Sequence, residues 1–285
     1  MTTALATDVD RELEEVIRIA RLAADRVSAI QAEGFTVELK APGDPVTRAD
    51  RESSDRICTS LTRSFPGDAI VSEEAVPSSP AEVARLVSSP RVWFVDPLDG
   101  TREFSEGIPE FAVMIGLAVG GRPALGVVTM PPLGVTIAGR VGVAAFIYDH
   151  TQNVRRPVTL SEVSDPQEAT LYVSRSHRPP LVDSLIEDLG ILRVVASGSV
   201  GVKIARLVLG QGDVYVHDGG GAKLWDTCGP EAVLTAAGGC FSDLEGSPID
   251  YACADLVLRR GIIATNGPLH DEVLSACGKL ARASH

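Results

Sequence analysis

The sequence of 285 residues lacks several features that would point away from a globular enzyme. No stretch approaches the roughly 18 consecutive apolar residues that a membrane-spanning helix needs, so no membrane partner is expected. The first twenty residues are acidic and helical in pattern, without the basic segment and apolar core of a secretory leader. Paired cysteines are missing. The five present (Cys58, Cys228, Cys240, Cys253 and Cys277) are odd in number and form no CxxC, which argues for reduced thiols and a cytoplasmic protein. No His/Cys spacing suggests zinc. Basic residues are outnumbered, 26 against 38 acidic, and the formal net charge of −12 argues against nucleic acid as a partner. The run Gly219-Gly220-Gly221 precedes Lys223, but the GK[ST] of a phosphate loop is absent. There is no internal repeat and no low-complexity tract.

With 45% hydrophobic and 22% charged residues the chain can bury a substantial core, and its length is comfortable for two domains. The stretch Trp93-Phe94-Val95-Asp96-Pro97-Leu98-Asp99-Gly100-Thr101 organises the reading. Its apolar start, Val92 to Val95, is a buried strand in pattern and ends in two carboxylates three apart. Pro97 cannot continue a ladder, so the chain is expected to leave the sheet there. Gly100 allows a close approach of backbone to ligand. Thr101 opens a short helical stretch to Ser105 whose free amides could face an anion. Carboxylates for hard cations and amides for phosphate within six residues of each other suggest metal-dependent phosphate chemistry, with an ordinary Asp-Gly turn as the plain alternative. An acidic protein that acts on phosphates must neutralise its own site, and divalent cations are the simplest means.

Before this stretch, Leu13, Val16, Ile17, Ala20, Ala23, Ala24, Val27 and Ile30 predict an amphipathic helix over 8–32. Residues 40–46 read as a loop. Thr47 caps a second helix running to about Ser64, with Asp50 in its first turn, where an acid also complements the helix dipole. The short strand Ala69 to Ser72 runs into Glu73-Glu74 and repeats the pattern of a strand ending in acids. Two such strands can share a metal cluster if they are neighbours in a sheet. After it come a hairpin from Phe111 to Thr129 and strands at 134–139, 143–148 and 156–160. Residues 1–161 are thus expected to form an α+β domain with a largely antiparallel sheet, closed by a linker from Ser161 to Glu168.

Residues 162–285 alternate strand and helix, the pattern of an α/β domain. Strands are expected at 169–174, 192–196, 213–217, 239–242 and 261–265, and helices at 179–189, 199–210, 226–238 and 268–282. Three places could carry chemistry. Ser174-Arg175-Ser176-His177-Arg178 ends a strand with cationic and hydroxyl groups. Gly198 to Lys203 is a small-residue turn into a helix, an anion cradle in form. Trp225-Asp226-Thr227 opens a helix with an acid. Each has an everyday reading: Asp226 as a helix cap, Lys203 as a solvated charge, His177 and His217 as surface or core histidines.

In Pro45-Val46-Thr47 with Asp50, Ser72-Glu73-Glu74, Asp96-Pro97-Leu98-Asp99-Gly100-Thr101 and Trp225-Asp226 the sequence resembles the inositol monophosphatase superfamily of Mg-dependent, lithium-sensitive phosphatases. These motifs cover the chain from about Lys40 to Gly246. Within the superfamily, Arg102-Glu103-Phe104 after Thr101, the pair Glu110-Phe111, Ser174 to His177, and the turn bearing Ser199 and Lys203 resemble the 3'(2'),5'-bisphosphate nucleotidase branch. Inositol monophosphatases place a glutamate after the strand that precedes Trp-Asp. Here that position is His217 or Gly219, depending on the anchor, with Asp218 between them.

The resemblance implies a layered α-β-α-β-α fold with the metal site between the two halves, and two or three Mg²⁺ ions. Glu73, Asp96 and the Leu98 carbonyl would hold the water-activating ion. Asp96, Asp99 and Asp226 would hold the second, and Glu73 would help a third through water. Thr101, backed by Asp50, would orient and deprotonate the attacking water, with phosphate on the Gly100 and Thr101 amides. His177, Ser199 and Lys203, with Arg178 and Lys223 as further candidates, would hold the nucleotide. The implied reaction removes the 3'-phosphate of adenosine 3',5'-bisphosphate, or of its 5'-phosphosulfate form, within sulfur assimilation. Inositol phosphate, histidinol phosphate or a sugar phosphate is the alternative substrate, and a homodimer is compatible with the fold. A non-catalytic phosphate sensor is disfavoured, because a binding protein has no use for Thr101 beside Asp50.

Overall fold

A computed structural model describes residues 2–283 apart from Pro42 and His177. The chain opens with α1 (Thr2–Glu33), in which the expected stripe from Leu13 to Ile30 is buried along one face. Next, β1 (Val37–Ala41) and β2 (Asp44–Thr47) pair antiparallel, where the sequence predicts a loop. Every residue of β1 keeps an exposed surface, so no alternation of buried and solvated positions marks it as a strand. Helix α2 (Arg48–Ser64) follows, capped by Thr47, and packs on α1.

The seven-stranded sheet takes in β3 (Ala69–Ser72), β4 (Arg91–Asp99), β5 (Ala112–Val119), β6 (Arg122–Met130), β7 (Val135–Arg140), β8 (Ala144–Asp149) and β9 (Val154–Pro157), in that spatial order. Only β3 and β4 run parallel. Their connection holds α3 (Pro80–Val87), which the sequence reading lacks. The segment β9 falls at Val154–Pro157 instead of 156–160. At Pro97 the chain bulges instead of leaving the sheet. Register with β5 shifts between Asp96 and Asp99 and resumes with Asp99 opposite Ala112. The absent N–H of Pro97 is not needed there, and its carbonyl accepts from Ser53 Oγ at 2.8 Å. The helix α4 (Thr101–Glu106) begins directly beyond the bulge.

The second sheet has the order β11-β10-β12-β14-β13, built from β10 (Thr170–Ser174), β11 (Arg193–Ser197), β12 (Val214–His217), β13 (Cys240–Ser242) and β14 (Ile262–Thr265). Strands β11, β10 and β12 are parallel, and β14 is antiparallel to both its neighbours. The helices here are α5 (Pro180–Leu189), α6 (Val200–Val208), α7 (Leu224–Ala236) and α8 (His270–Ala283). Helices α1 and α2 cover one face of the larger sheet, and α6 and α7 lie between the two sheets. With α5 and α8 on the far face of the smaller sheet, the layers are α-β-α-β-α. Among the described residues, no helix is long and apolar enough to cross a membrane.

Helix α7 sits directly on the larger sheet. A Cβ added at Gly126 would strike the Gly229 carbonyl of α7 and come within 2.9 Å of the Ala232 Cβ, so only glycine permits this approach. The same helix buries Glu231, whose Oε2 lies 2.5 Å from the Tyr251 hydroxyl; that hydroxyl is 3.1 Å from Thr227 Oγ1. Burial pushes the Glu231 carboxyl up to about 8, the Tyr251 hydrogen bond limiting the rise. In the unfolded chain the group ionises near 4.5. The folded state therefore binds more protons between these values. The contribution of Glu231 to stability is complete below the lower value and is lost as pH rises through the upper one. Glu231→Gln cannot titrate, so thermal unfolding from pH 5 to 9 should show wild type losing stability relative to the variant, on the order of a few kcal/mol, read as a falling Tm. Parallel profiles would mean that Glu231 is already ionised in the fold.

Candidate active site

The bulge in β4 and the ends of several elements converge at one place between the sheets. At the start of α2, the capping Thr47 Oγ1 accepts from Ala49 N at 3.0 Å, and Asp50 Oδ2 accepts from both the amide and the hydroxyl of Thr47 at 2.7 Å. This reciprocal cap fixes the Asp50 carboxylate. Its other oxygen, Oδ1, accepts from the Thr101 hydroxyl at 2.7 Å, and the Leu98 carbonyl lies 3.0 Å from that hydroxyl. Asp50 is only 1% exposed, and burial raises its pKa against the lowering effect of the Thr47 and Thr101 hydrogen bonds. A raised pKa makes it a better proton acceptor than a solvated aspartate.

Parallel pairing sets Ser72 opposite Val95, so Glu73 and Asp96 leave neighbouring strands at the same level. Asp99 follows at the end of the bulge, and Asp226 in the first turn of α7. Burial, then the charges of Glu73, Asp99 and Asp226, hold the Asp96 carboxyl well above the usual range. Burial and Asp99 do the same to Asp226, while Glu73 is raised chiefly by burial. The acids are thus close enough to repel one another across a poorly solvated junction.

Each carboxylate is turned onto a donor. Glu73 faces Lys40 Nζ of β1 at 2.9 Å, and Glu74 pairs with the same ammonium. Asp96 Oδ1 accepts from Leu98 N at 3.0 Å, and Asp226 Oδ2 from Lys223 N at 2.7 Å. Asp99 Oδ2 accepts from Ser199 Oγ at 2.5 Å and Gly201 N at 2.6 Å. In this arrangement no three His, Cys, Asp or Glu side chains among the described residues form a finished cation cage. The chemistry of the set still fits Mg²⁺: oxygen donors only, and mutually repelling acids whose charge a hard cation would offset.

Beside the acids opens a recess of about 270 Å³. Asp99, Gly100, Thr101, Ser199 and Lys203 of the predicted set line it. So do Arg102, Glu103, Ser174, Ser176, Tyr215 and His217, which the sequence reading did not assign as site residues. Ser174 and Ser176 lay within a stretch already marked by its composition. Tyr215 carries no such mark, because an aromatic inside Val214-Tyr215-Val216 reads as core. Ser199, with φ 57° and ψ 129°, has its hydroxyl committed to Asp99 and to Val202 N, so it orders a carboxylate instead of offering a free group. Lys203 is 2% exposed and donates to the Ser199 carbonyl at 2.6 Å. Burial pulls its pKa down to about 8, with Asp99, Glu103, Glu110 and Asp226 limiting the fall. Two weaker expectations lie elsewhere: Arg178 pairs with Asp183 of α5 at 2.5 Å, and neither it nor Lys223 lines the recess. His177 lies outside the described residues.

Comparison with known proteins places the chain among phosphatases. The chain belongs to the inositol monophosphatase family, whose model matches residues 5–281. It is similar to human 3'(2'),5'-bisphosphate nucleotidase 1, 32% identical over 266 residues that cover 82% of this chain and 83% of the human protein. It is equally similar to the 3'(2'),5'-bisphosphate nucleotidase CysQ of Escherichia coli K12, 32% identical over 251 residues that cover 87% of this chain and 97% of that one. The IMPase of Thermotoga maritima has the same fold, with a TM-score of 0.79 over 96% of this chain and 99% of its own at 24% identity.

The junction at Gly100 is the most exacting point of the backbone. Its φ is 91°, and an added Cβ would lie 2.7 Å from the Glu110 carbonyl oxygen and 3.2 Å from Phe111 Cα. Gly100→Ala should therefore cost about 1–3 kcal/mol. Calorimetry should show Tm lower by several degrees, and phosphatase activity should fall with it as Thr101 moves off Asp50. An unchanged Tm would show that the turn relaxes without strain.

Proposed function

We propose that the chain is a Mg²⁺-dependent phosphomonoesterase that removes the 3'-phosphate of adenosine 3',5'-bisphosphate, and of its 5'-phosphosulfate form, giving a 5'-nucleotide and inorganic phosphate. The observation that carries this reading is the pairing of Thr101 with Asp50 at the edge of a recess that also contains the buried ammonium of Lys203. The names of the human and bacterial relatives support the substrate.

The reaction joins a water oxygen to phosphorus and breaks the bond from phosphorus to the 3'-oxygen, which leaves with a proton as the hydroxyl. A threonine hydroxyl alone is a poor base. Thr101 orients the water, and the proton passes toward Asp50, whose Oδ1 already accepts from Thr101. The Gly100 and Thr101 amides cradle the reacting phosphate at the recess wall. Glu73, Asp96, Asp99, Asp226 and the Leu98 carbonyl are the groups that would hold Mg²⁺, which when bound supplies charge neutralisation and an activated water. Ser199 and the start of α6 keep Asp99 in place for this role. Lys203 faces the second phosphate, and His177 is assigned to the nucleotide on the motif alone.

Inorganic phosphate release from adenosine 3',5'-bisphosphate and inositol 1-phosphate, measured side by side with Mg²⁺ and with a chelator, tests the proposal. The expected outcome is a kcat/KM many times larger for the nucleotide and loss of both activities on chelation. A preference for inositol phosphate would overturn the substrate and leave the phosphatase. Lys203 gives a further expectation. It is charged below about pH 8, so KM for the bisphosphate should rise as pH passes from 7 to 9. Lys203→Met should start from a high KM and show no such rise. If the two KM profiles run parallel, the ammonium does not meet the substrate.

A further inference from the structure

Tyr215 sits in the middle of β12, paired with Tyr172 on one side and Ala264 on the other. It is 1% exposed, and its ring packs in the apolar layer between the sheets. The ammonium of Lys203 lies 5.1 Å from the ring centroid, within reach of a cation–π contact. Tyr215 is among the residues that line the recess, and its buried hydroxyl has no hydrogen-bond partner among the described residues. A buried phenol left unpaired is a burden on the fold, and phenylalanine would fill the same space without it. The apolar layer explains the ring, but it gives no use for the oxygen.

We propose that the Tyr215 hydroxyl is a specificity-determining hydrogen-bond donor of the recess, reading the sugar hydroxyl next to the scissile phosphate ester. The inference rests on the nucleotide phosphatase reading given above. Burial and the charges of Asp99, Asp226 and Asp218 all disfavour the phenolate, so the group is a neutral donor over the working pH range. A neutral donor suits a neutral acceptor. The two phosphates of the substrate are assigned to Gly100 with Thr101 and to Lys203, and Tyr215 lines the same recess as both. The neutral oxygen beside the reacting ester of a nucleoside 3',5'-bisphosphate is the ribose 2'-hydroxyl. A site that hydrogen-bonds a substrate hydroxyl rejects the analogue lacking it, because the protein's own buried polar group is then left unpaired.

The test compares wild type and Tyr215→Phe, both loaded with Mg²⁺, on adenosine 3',5'-bisphosphate and its 2'-deoxy analogue. Wild type should favour the ribonucleotide by about tenfold or more in kcat/KM, as expected for one hydrogen bond to a buried donor. The variant should lose that factor on the ribonucleotide, keep its rate on the deoxynucleotide, and unfold at an equal or higher Tm. Equal loss on both substrates, no loss on either, or a wild type without preference would overturn the inference and leave the phosphatase reading standing. A wild type that hydrolyses neither nucleotide would overturn that reading and this inference with it, and is told apart because the variant plays no part in it.

Discussion

The constraint on which the rest depends is electrostatic: Glu73, Asp96, Asp99 and Asp226 are brought together where water is scarce. Asp96 is 2% exposed and feels the other three charges. A junction of this kind opposes folding unless each acid finds a donor, and the surrounding architecture supplies them. The bulge of β4 turns an amide onto Asp96, the start of α6 turns an amide and a hydroxyl onto Asp99, and the start of α7 turns one onto Asp226. The exposed strand β1 brings Lys40 to Glu73 and Glu74. Burial opposes the charge on Lys40, yet these two acids hold its pKa above the ordinary lysine value. The same acids are the ones proposed to hold Mg²⁺, so the fold satisfies with its own donors the charge that a cation would otherwise offset.

The layer of helices between the sheets makes this convergence possible. Asp226 belongs to a helix pressed onto β5 and β6 through glycine contacts, and Asp99 belongs to the strand beside them. Neither can shift without moving the sheet. Glu110 adds a tie across the site: its carboxylate accepts from Gly198 N at 2.7 Å and Arg175 Nη2 at 2.5 Å, joining the loop after α4 to β11 and the segment beyond β10. The Arg175 and Gly198 contacts hold its pKa below the usual glutamate value despite burial. An ionised clamp therefore fixes the turn that carries Ser199, and through Ser199 the orientation of Asp99.

Much of this was legible because the relevant signals are local. Thr47 with Asp50 three residues later is a cap visible in one turn of sequence, and the structure adds that the second oxygen of the same carboxylate meets Thr101. The apolar run into Asp96 and the one into Glu73 announce strands, and their parallel register brings the two acids level. Illegible were features whose cause is tertiary. Strand β1 is solvated on every residue and shows no periodicity. Pro97 stays in the strand because a bulge absorbs its missing donor, and Ser53 on a distant helix holds its carbonyl. Lys40 reads as a loop charge until the hairpin folds it onto Glu73. Tyr215 reads as core because its ring is core; that the residue also lines the recess, and that its hydroxyl is left unpaired, only the tertiary structure shows.

The two sheets divide the labour in the proposed reaction. The groups assigned to proton transfer and to the reacting phosphate, Asp50, Gly100 and Thr101, belong to elements packed on or continuing from β4 of the larger sheet. Those facing the remainder of the substrate come from the ends of β10, β11 and β12 and from α6, in the smaller one. Asp99 is held by both, being carried on β4 and hydrogen-bonded by Ser199 and Gly201, and Glu110 is tied across in the same way. In the proposed reaction, changes at Ser174, Ser176, Tyr215 or His217 would then alter which ester is accepted while the Thr101 and Asp50 pair stays intact. On this reading one phosphate-cleaving pair can serve different esters, because the residues that would face the leaving alcohol belong to the other sheet.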